Sequence, residues 1–466
     1  MNKKILAAIV CAASVLSLAG CGEKNTSSGS GNTSNTNSTG NNSSTGDNTS
    51  GDNNTPSSGN SAETLTILAW SGNSDIQAMV KLFCQEKGYD ESKVVVANCG
   101  ASGGDANDAY KNYLTGNDDA DLMCLEADWI LNYINDDTLT APLSDLGISD
   151  SNFANPYSYT VAIGKNEAGV LKGASFQATP GGFVYRADIA KEYLNVETPE
   201  QMQEKVKDWA SFEATAKELK EKAGIPLAAT EEGLWQVFQY NRSKAWVVDD
   251  TLVMGEAEDF YDIAKDYYDN GYMGKTGQWN DAWYAAVKNG DALGEFLSTW
   301  GMTDSDGGQL KNFTDKTGDD ANMAFCAGPQ EYAWGGTWLG VSTKCDSKDL
   351  AKEFVEFFTC NDETMRKYTD TTGDYCNNSK VMADVVADGN LHNKFLVGGQ
   401  SQFNYFLEKA GNINMDGKIT KYDKTIKDEF NNSVKAYCDG TYATKEDAIE
   451  AFKNAVSAAY TNLNVD

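Results

Sequence analysis

Residues 22–62 set the first limit on any fold. The run is almost entirely Ser, Thr, Asn and Gly, with one proline at Pro56 and no aromatic residue. Such a segment has no apolar surface to offset its ordering entropy, so it is expected to stay disordered. About 400 residues remain beyond it, enough for one large or two ordinary domains with proper cores.

The start of the chain reads as a targeting segment. Lys3 and Lys4 precede an apolar stretch from Ile5 to Leu18, and small residues follow it. That stretch is shorter than the ~20 residues a spanning helix needs, and its order is that of a secretory signal. The tetrapeptide Leu18-Ala19-Gly20-Cys21 resembles a bacterial lipobox, which implies removal of residues 1–20 and lipidation of Cys21. Residues 21–62 then become the lipidated cysteine and a linker. As a flexible coil of ~40 residues it would span on the order of 35 Å. The expected location is the outer face of the cytoplasmic membrane of a bacterium, of the Gram-positive type.

Lys and Arg total 38 against 68 Asp and Glu, a formal charge of −30. This argues against nucleic acid or an anionic lipid surface as the main partner. A single histidine, His392, speaks against His-based catalytic triads and poly-His metal sites. Eight cysteines follow Cys21 without a Cys-x-x-Cys pair. Several lie in apolar runs, which favours buried free thiols over a disulfide framework or zinc.

The body alternates strands and helices. Strands are expected at Thr64–Trp70, Val94–Ala97 and Asp121–Leu125, with helices at Ile76–Glu86 and Asn107–Leu114. Buried strands joined by helices imply a parallel sheet, and ligands bind at the carboxyl ends of such strands. Trp70, the loop Asn98–Gly104 and Glu126–Trp129 fall at those ends. Further helices are expected at Glu200–Ala223, Ala257–Tyr268, Ser347–Thr359, Tyr422–Cys438 and Lys445–Tyr460.

The lipobox, the linker and the strand ending in Trp70 are followed by three segments in order. These are Gly181-Gly-Phe-Val-Tyr-Arg-Ala-Asp188, Gly335-Gly-Thr-Trp-Leu-Gly340 and Ala351-Lys-Glu-Phe-Val-Glu-Phe-Phe358. Together they resemble an extracellular carbohydrate-binding protein of an ABC importer, of the maltodextrin-binding type. The resemblance implies an α/β, two-lobe periplasmic-binding-protein-like fold with a multi-stranded hinge and an interlobe cleft. Crossings are implied near 177–182, 335–337 and 372–375. Lobe 1 would take residues 63–177 and, with the hinge, 335–372. Lobe 2 would take 178–334 and 373–466.

Capture of a sugar calls for flat aromatic platforms and a few fixed polar groups. The expected ligand-binding residues are Trp70, Asn73, Ser102, Glu126, Asp128, Trp129, Gln177, Trp235, Trp300 and Trp338. For Asp128 and Trp300 the resemblance adds that matching positions accept sugar hydroxyls and stack on rings. Trp209, Trp246, Trp279 and Trp283 are expected to be core or surface structure.

The carboxylates carry no catalytic signature, and neither a Gly-x-Ser-x-Gly elbow nor a nucleotide glycine loop occurs, so no enzyme is expected. No cofactor or metal is expected. Asn412, Asn414, Asp416 and Asp423 mimic a calcium loop, the alternative there. The implied partners are an oligosaccharide and ABC permease subunits, with the protein acting as a monomer. The alternatives are a glycan-tethering surface protein without a transporter and a receptor for a non-sugar solute.

Overall fold

The computed structural model describes residues 64–70, 73–100, 103–116, 119–304 and 307–465. The signal segment, Cys21, the linker and Ser102 lie outside the described residues.

Among the described residues the strands are β1 (Leu65–Ala69), β2 (Val94–Asn98), β3 (Leu122–Glu126), β4 (Thr140–Ala141), β5 (Gly173–Ser175), β6 (Gly181–Arg186), β7 (Val247–Val248), β8 (Thr251–Leu252), β9 (Gly294–Ser298), β10 (Met323–Cys326) and β11 (Thr337–Ser342). The first sheet runs β2-β1-β3-β11-β4, with β5 also paired to β11. β1 pairs in parallel with β2 and with β3, through Leu65↔Val94 and Ile67↔Leu122. The parallel pairs need crossovers, and helices Ser74–Lys87 and Gly103–Thr115 supply them. Apart from Thr66 and Glu126, β1 and β3 are buried and apolar, as strands covered on both faces are.

β11 enters this sheet from far along the chain, antiparallel to β3, and sets Thr337 opposite Glu126. Helices Lys348–Thr359 and Asp362–Thr372 follow it and pack beside the first sheet. Residues 373–388 stay with this lobe: Asn377 Nδ2 donates to Ser175 O at 3.0 Å, and Asn378 Nδ2 to Asp362 at 2.7 Å. The boundary expected at 373 therefore falls later, and helices Asp423–Cys438 and Lys445–Ala459 are the ones that pack with Ala257–Asn270 in the second lobe.

The second sheet is the antiparallel set β10-β6-β9, not a parallel one. Its first residue, Gly181, lies against Tyr332: a Cβ there would come within 2.1 Å of the ring. Tyr332 uses that space to donate to both Gly182 O and Leu297 O at 3.0 Å. β7 and β8 form a small ribbon whose two turn residues, Asp249 and Asp250, have φ of 50° and 56°, as a tight hairpin turn requires.

The expected helix Glu200–Ala223 is two helices, Pro199–Val206 and Trp209–Ala223. Asp208 makes the break by accepting the Ser211 N–H as an N-cap. The eight body cysteines are free thiols, six of them buried.

The chain crosses between lobes at 176–180 and again at 327–336. Gln177 bridges to Cys376, and its amide donates to Asp374 at 2.5 Å. Thr179 Oγ1 donates to Gly335 O at 3.0 Å, so two crossings are bonded to each other.

Candidate functional site: a cleft between the lobes

A cleft of about 690 Å³ lies between the lobes, within the usual range for a small-molecule site. The first lobe lines it with strand ends, where side chains leave the sheet into solvent. Trp70 follows β1, Asn73 and Asp75 begin the next helix, and Glu126 and Asp128 close β3. The crossings add Gln177, Trp334, Gly335 and Gly336. The second lobe adds Trp235 and Gln236 from one helix, Gln278 and Trp279 from a loop, Trp300 after β9, and Lys424, Lys427 and Asn431 from helix Asp423–Cys438.

Three of the tryptophans form one cluster. Trp279 and Trp300 stack at 5.8 Å with planes 22° apart, and Trp334 meets both edge-on at 5.8 and 5.2 Å. Trp300 Nε1–H donates to Trp334 O at 2.9 Å, which fixes the ring. Trp279 is 54% exposed and has φ of 66°, a conformation a bulky side chain rarely adopts. A strained, exposed indole at a cleft wall marks a site under functional constraint.

The polar groups are left partly unspent. Trp235 Nε1, Gln278 Nε2 and Asn431 Oδ1 are buried and without a hydrogen-bond partner among the described residues. Buried polar atoms are nearly always bonded, so three such atoms in one cleft point to groups a ligand would meet.

The cleft's charges are arranged in pairs and exceptions. Asp128 of the first lobe is bonded to Lys427 of the second, and Lys424 to Asp428. Burial pulls the Lys427 ammonium down, but Asp128 and Glu126 together push it above its ordinary value. Glu126 accepts the Asp128 N–H at 2.8 Å. Burial, then the neighbouring Asp128, raises the Glu126 carboxyl to about 8. Burial, then Asp374, raises Asp75 to about 7. Behind the cleft wall, burial raises Glu295 to about 7, although Thr230, Trp283 and the Phe296 N–H all donate to it.

The structure brings together Trp70, Asn73, Glu126, Asp128, Gln177, Trp235 and Trp300 of the residues expected at a site. Asn73 is also the N-cap of its helix, accepting from Ile76 N at 3.2 Å. Trp235 is 1% exposed and offers the cleft little more than its N–H edge, because Phe430, Phe260 and Trp246 enclose the ring. Two expectations are corrected. Trp129 is buried among Trp70, Tyr110 and Tyr133. Trp338 is buried in β11, its Nε1–H donating to Thr160 O at 2.8 Å. Neither ring presents a face to the cleft.

The residues of the calcium-like loop make local hydrogen bonds. Asn414 accepts the Asp416 N–H in a local turn, while Asp423 turns to Thr420 Oγ1 at 2.5 Å. Among the described residues no three His, Cys, Asp or Glu side chains converge as a metal group. Sequence reasoning missed Trp279 and Trp334 as cleft residues, and with them Gln236, Gln278, Gln309 and Asn431. The loop Gly277-Gln-Trp-Asn280 carried the one available signal, an aromatic between turn residues.

Solved structures share this fold at low identity. A family 1 extracellular solute-binding protein superposes with a TM-score of 0.71 at 17% identity, covering 85% of this chain and 99% of its own. The GacH receptor of Streptomyces glaucescens, solved unliganded and with acarbose, gives 0.63 at 19% identity, covering 86% and 98%. The ABC transporter associated binding protein of B. animalis subsp. lactis Bl-04, in complex with β-1,6-galactobiose, gives 0.66 at 14%, covering 85% and 97%. None of the curated proteins matches the chain. The family model of the bacterial extracellular solute-binding proteins matches residues 78–393, more than half of the chain, and the protein belongs to that family.

Proposed function

We propose that the protein captures an oligosaccharide between its lobes and hands it to the membrane permease of an ABC importer. In this reading acylated Cys21 anchors a monomer to the outer face of the membrane. The ligand is released unchanged, without catalysis. The observation that carries the reading is the tryptophan cluster of Trp279, Trp300 and Trp334 facing a cleft rich in amide side chains. Flat indoles suit the C–H face of a pyranose, and amides both donate to and accept from its hydroxyls. The acarbose, galactobiose and maltose named with the similar folds favour the same class.

The test is thermal unfolding against panels of oligosaccharides, amino acids and peptides. A ligand that binds only the folded protein should add about 2.7 kcal/mol at 100 times its Kd. A glycan should raise the melting temperature and be recovered intact by chromatography. Shifts with peptides or amino acids alone would refute the sugar reading, and a cleaved glycan would refute the absence of catalysis.

A further inference from the structure

The acids of the cleft outnumber its bases in a way that neutral-sugar recognition leaves unexplained. Asp75, Glu126, Asp128, Glu232 and Asp428 line it, against Lys424 and Lys427. Both lysines are already bonded, to Asp428 and Asp128. Among the described residues no salt bridge reaches Asp75 or Glu126. The charge of Asp374 adds repulsion at Asp75. Hydroxyl groups can donate to a carboxylate, but they bring no charge to offset one taken out of water.

The aromatic wall points the same way. A Cβ on Gly335 would lie 3.3 Å from Trp300 Nε1 and 3.6 Å from Glu126 Oε1, so the indole and the carboxylate flank one gap. Gly335 has φ of 69°, which favours glycine and keeps that gap open. Trp300 turns its Nε1 edge to this gap, and Trp279, stacked on it and 54% exposed, is the ring of the cluster open to a ligand cation. Independently of the acids, Trp235 in the cleft wall is 1% exposed and its N–H has no partner among the described residues, so a ligand acceptor would satisfy it.

Resting on the oligosaccharide reading, we propose that the captured glycan carries a free amine, read by Glu126 and Asp75 beside the tryptophan cluster. The bound ammonium favours the ionised form of both acids, so on binding each gives up the proton that burial holds on it in the empty cleft. The neighbouring hydroxyls meet the Trp235, Gln278 and Asn431 groups. A glycan with the same ring but an acetylated nitrogen keeps the stacking and loses the charge.

Calorimetry on three matched series tests this: β-1,4-linked glucosamine oligomers, their N-acetylated forms and glucose oligomers of equal length. Galactosamine and galactose oligomers extend the series to a second ring. The amine form should bind at least about tenfold tighter than both neutral forms, with the advantage shrinking in salt. Glu126→Gln, which keeps the shape, should remove most of that advantage, lowering the affinity for the amine form far more than that for the neutral forms; Asp75→Asn should do so in part. The proposal is overturned if amine and neutral members bind alike, if no amine-bearing member binds, or if Glu126→Gln preserves the preference. Where neutral oligosaccharides of the wider panel still bind, only the amine assignment falls. Where peptides or amino acids alone bind, the oligosaccharide reading falls with it.

Discussion

Replacing Glu126 by Gln should stabilise the protein at alkaline pH and leave it nearly unchanged in acid. Below the ordinary carboxyl value of 4.5, Glu126 is neutral both folded and unfolded, so its titration contributes nothing. Between 4.5 and about 8 the unfolded chain releases the proton while the folded chain holds it, so stability falls as pH rises. Above about 8 the loss is complete. At ~1.4 kcal/mol per pKa unit, the rise from 4.5 to about 8 sets a ceiling of about 5 kcal/mol. Cleft water screens the charge, which leaves on the order of 2 kcal/mol. The Gln carbonyl can still accept the Asp128 N–H, so no bond is lost. Asp75, Glu295 and Asp423 are raised too, to about 7, 7 and 6, so wild-type stability should itself decline over this window. The informative quantity is therefore the difference between Glu126→Gln and wild type. Thermal or urea unfolding of both from about pH 5 to about pH 9 should show it growing from near zero to about 2 kcal/mol. A difference that stays constant across that range would refute the burial argument.

Trp300→Ala should weaken ligand binding by about 2 kcal/mol or more, as loss of a buried aromatic anchor does, with circular dichroism unchanged. Trp338→Phe should do the reverse. It should lose about 1–3 kcal/mol of stability with its bond to Thr160 O, and binding by the folded fraction should hold. Calorimetry that finds Trp338→Phe impaired in affinity and Trp300→Ala normal would misplace the cleft. Cys21→Ser should release the protein from membranes or leave its signal uncleaved, and unchanged detergent partitioning of a normally processed variant would refute the anchor.

The first lobe was legible because its signals are local. β1 and β3 are mostly apolar runs, Thr66 and Glu126 apart, and the helix between β1 and β2 keeps an apolar stripe of Ile76, Met79, Val80 and Phe83, all buried. The antiparallel second sheet was not legible. Its partners, β6 with β9 and β10, lie more than a hundred residues apart, and nothing local separates an antiparallel from a parallel strand of that length. The break at Asp208 was written in the chain as a cap, but the charged periodicity on either side of it masked it.

The tryptophans show where the reading of the site ran out. Trp338 sits in β11, buried along its whole length between β3 and β5, so alternation gives no hint of which face meets the cleft. Trp129 follows the end of β3, but a helical turn rotates it under the sheet onto Tyr110 and Tyr133. Trp279 and Trp334 reach the cleft from loops whose paths depend on tertiary contacts.

Several departures from ordinary folding economy share the cleft wall. The strained φ of Trp279, the unbonded N–H of Trp235 and the raised carboxyls of Asp75 and Glu126 all belong to the cleft wall. Elsewhere local signals and tertiary structure mostly agree, as in the stacked core of Phe183, Phe212 and Phe296. A cleft held open against these costs is less stable empty than filled. A solute that bonds the idle N–H, covers Trp279 and neutralises the acids removes several penalties in one event. Binding then draws on strain already present in the empty protein. The same link makes the Glu126→Gln variant informative twice: stability gained at high pH and preference lost for an amine would be two readings of one buried charge.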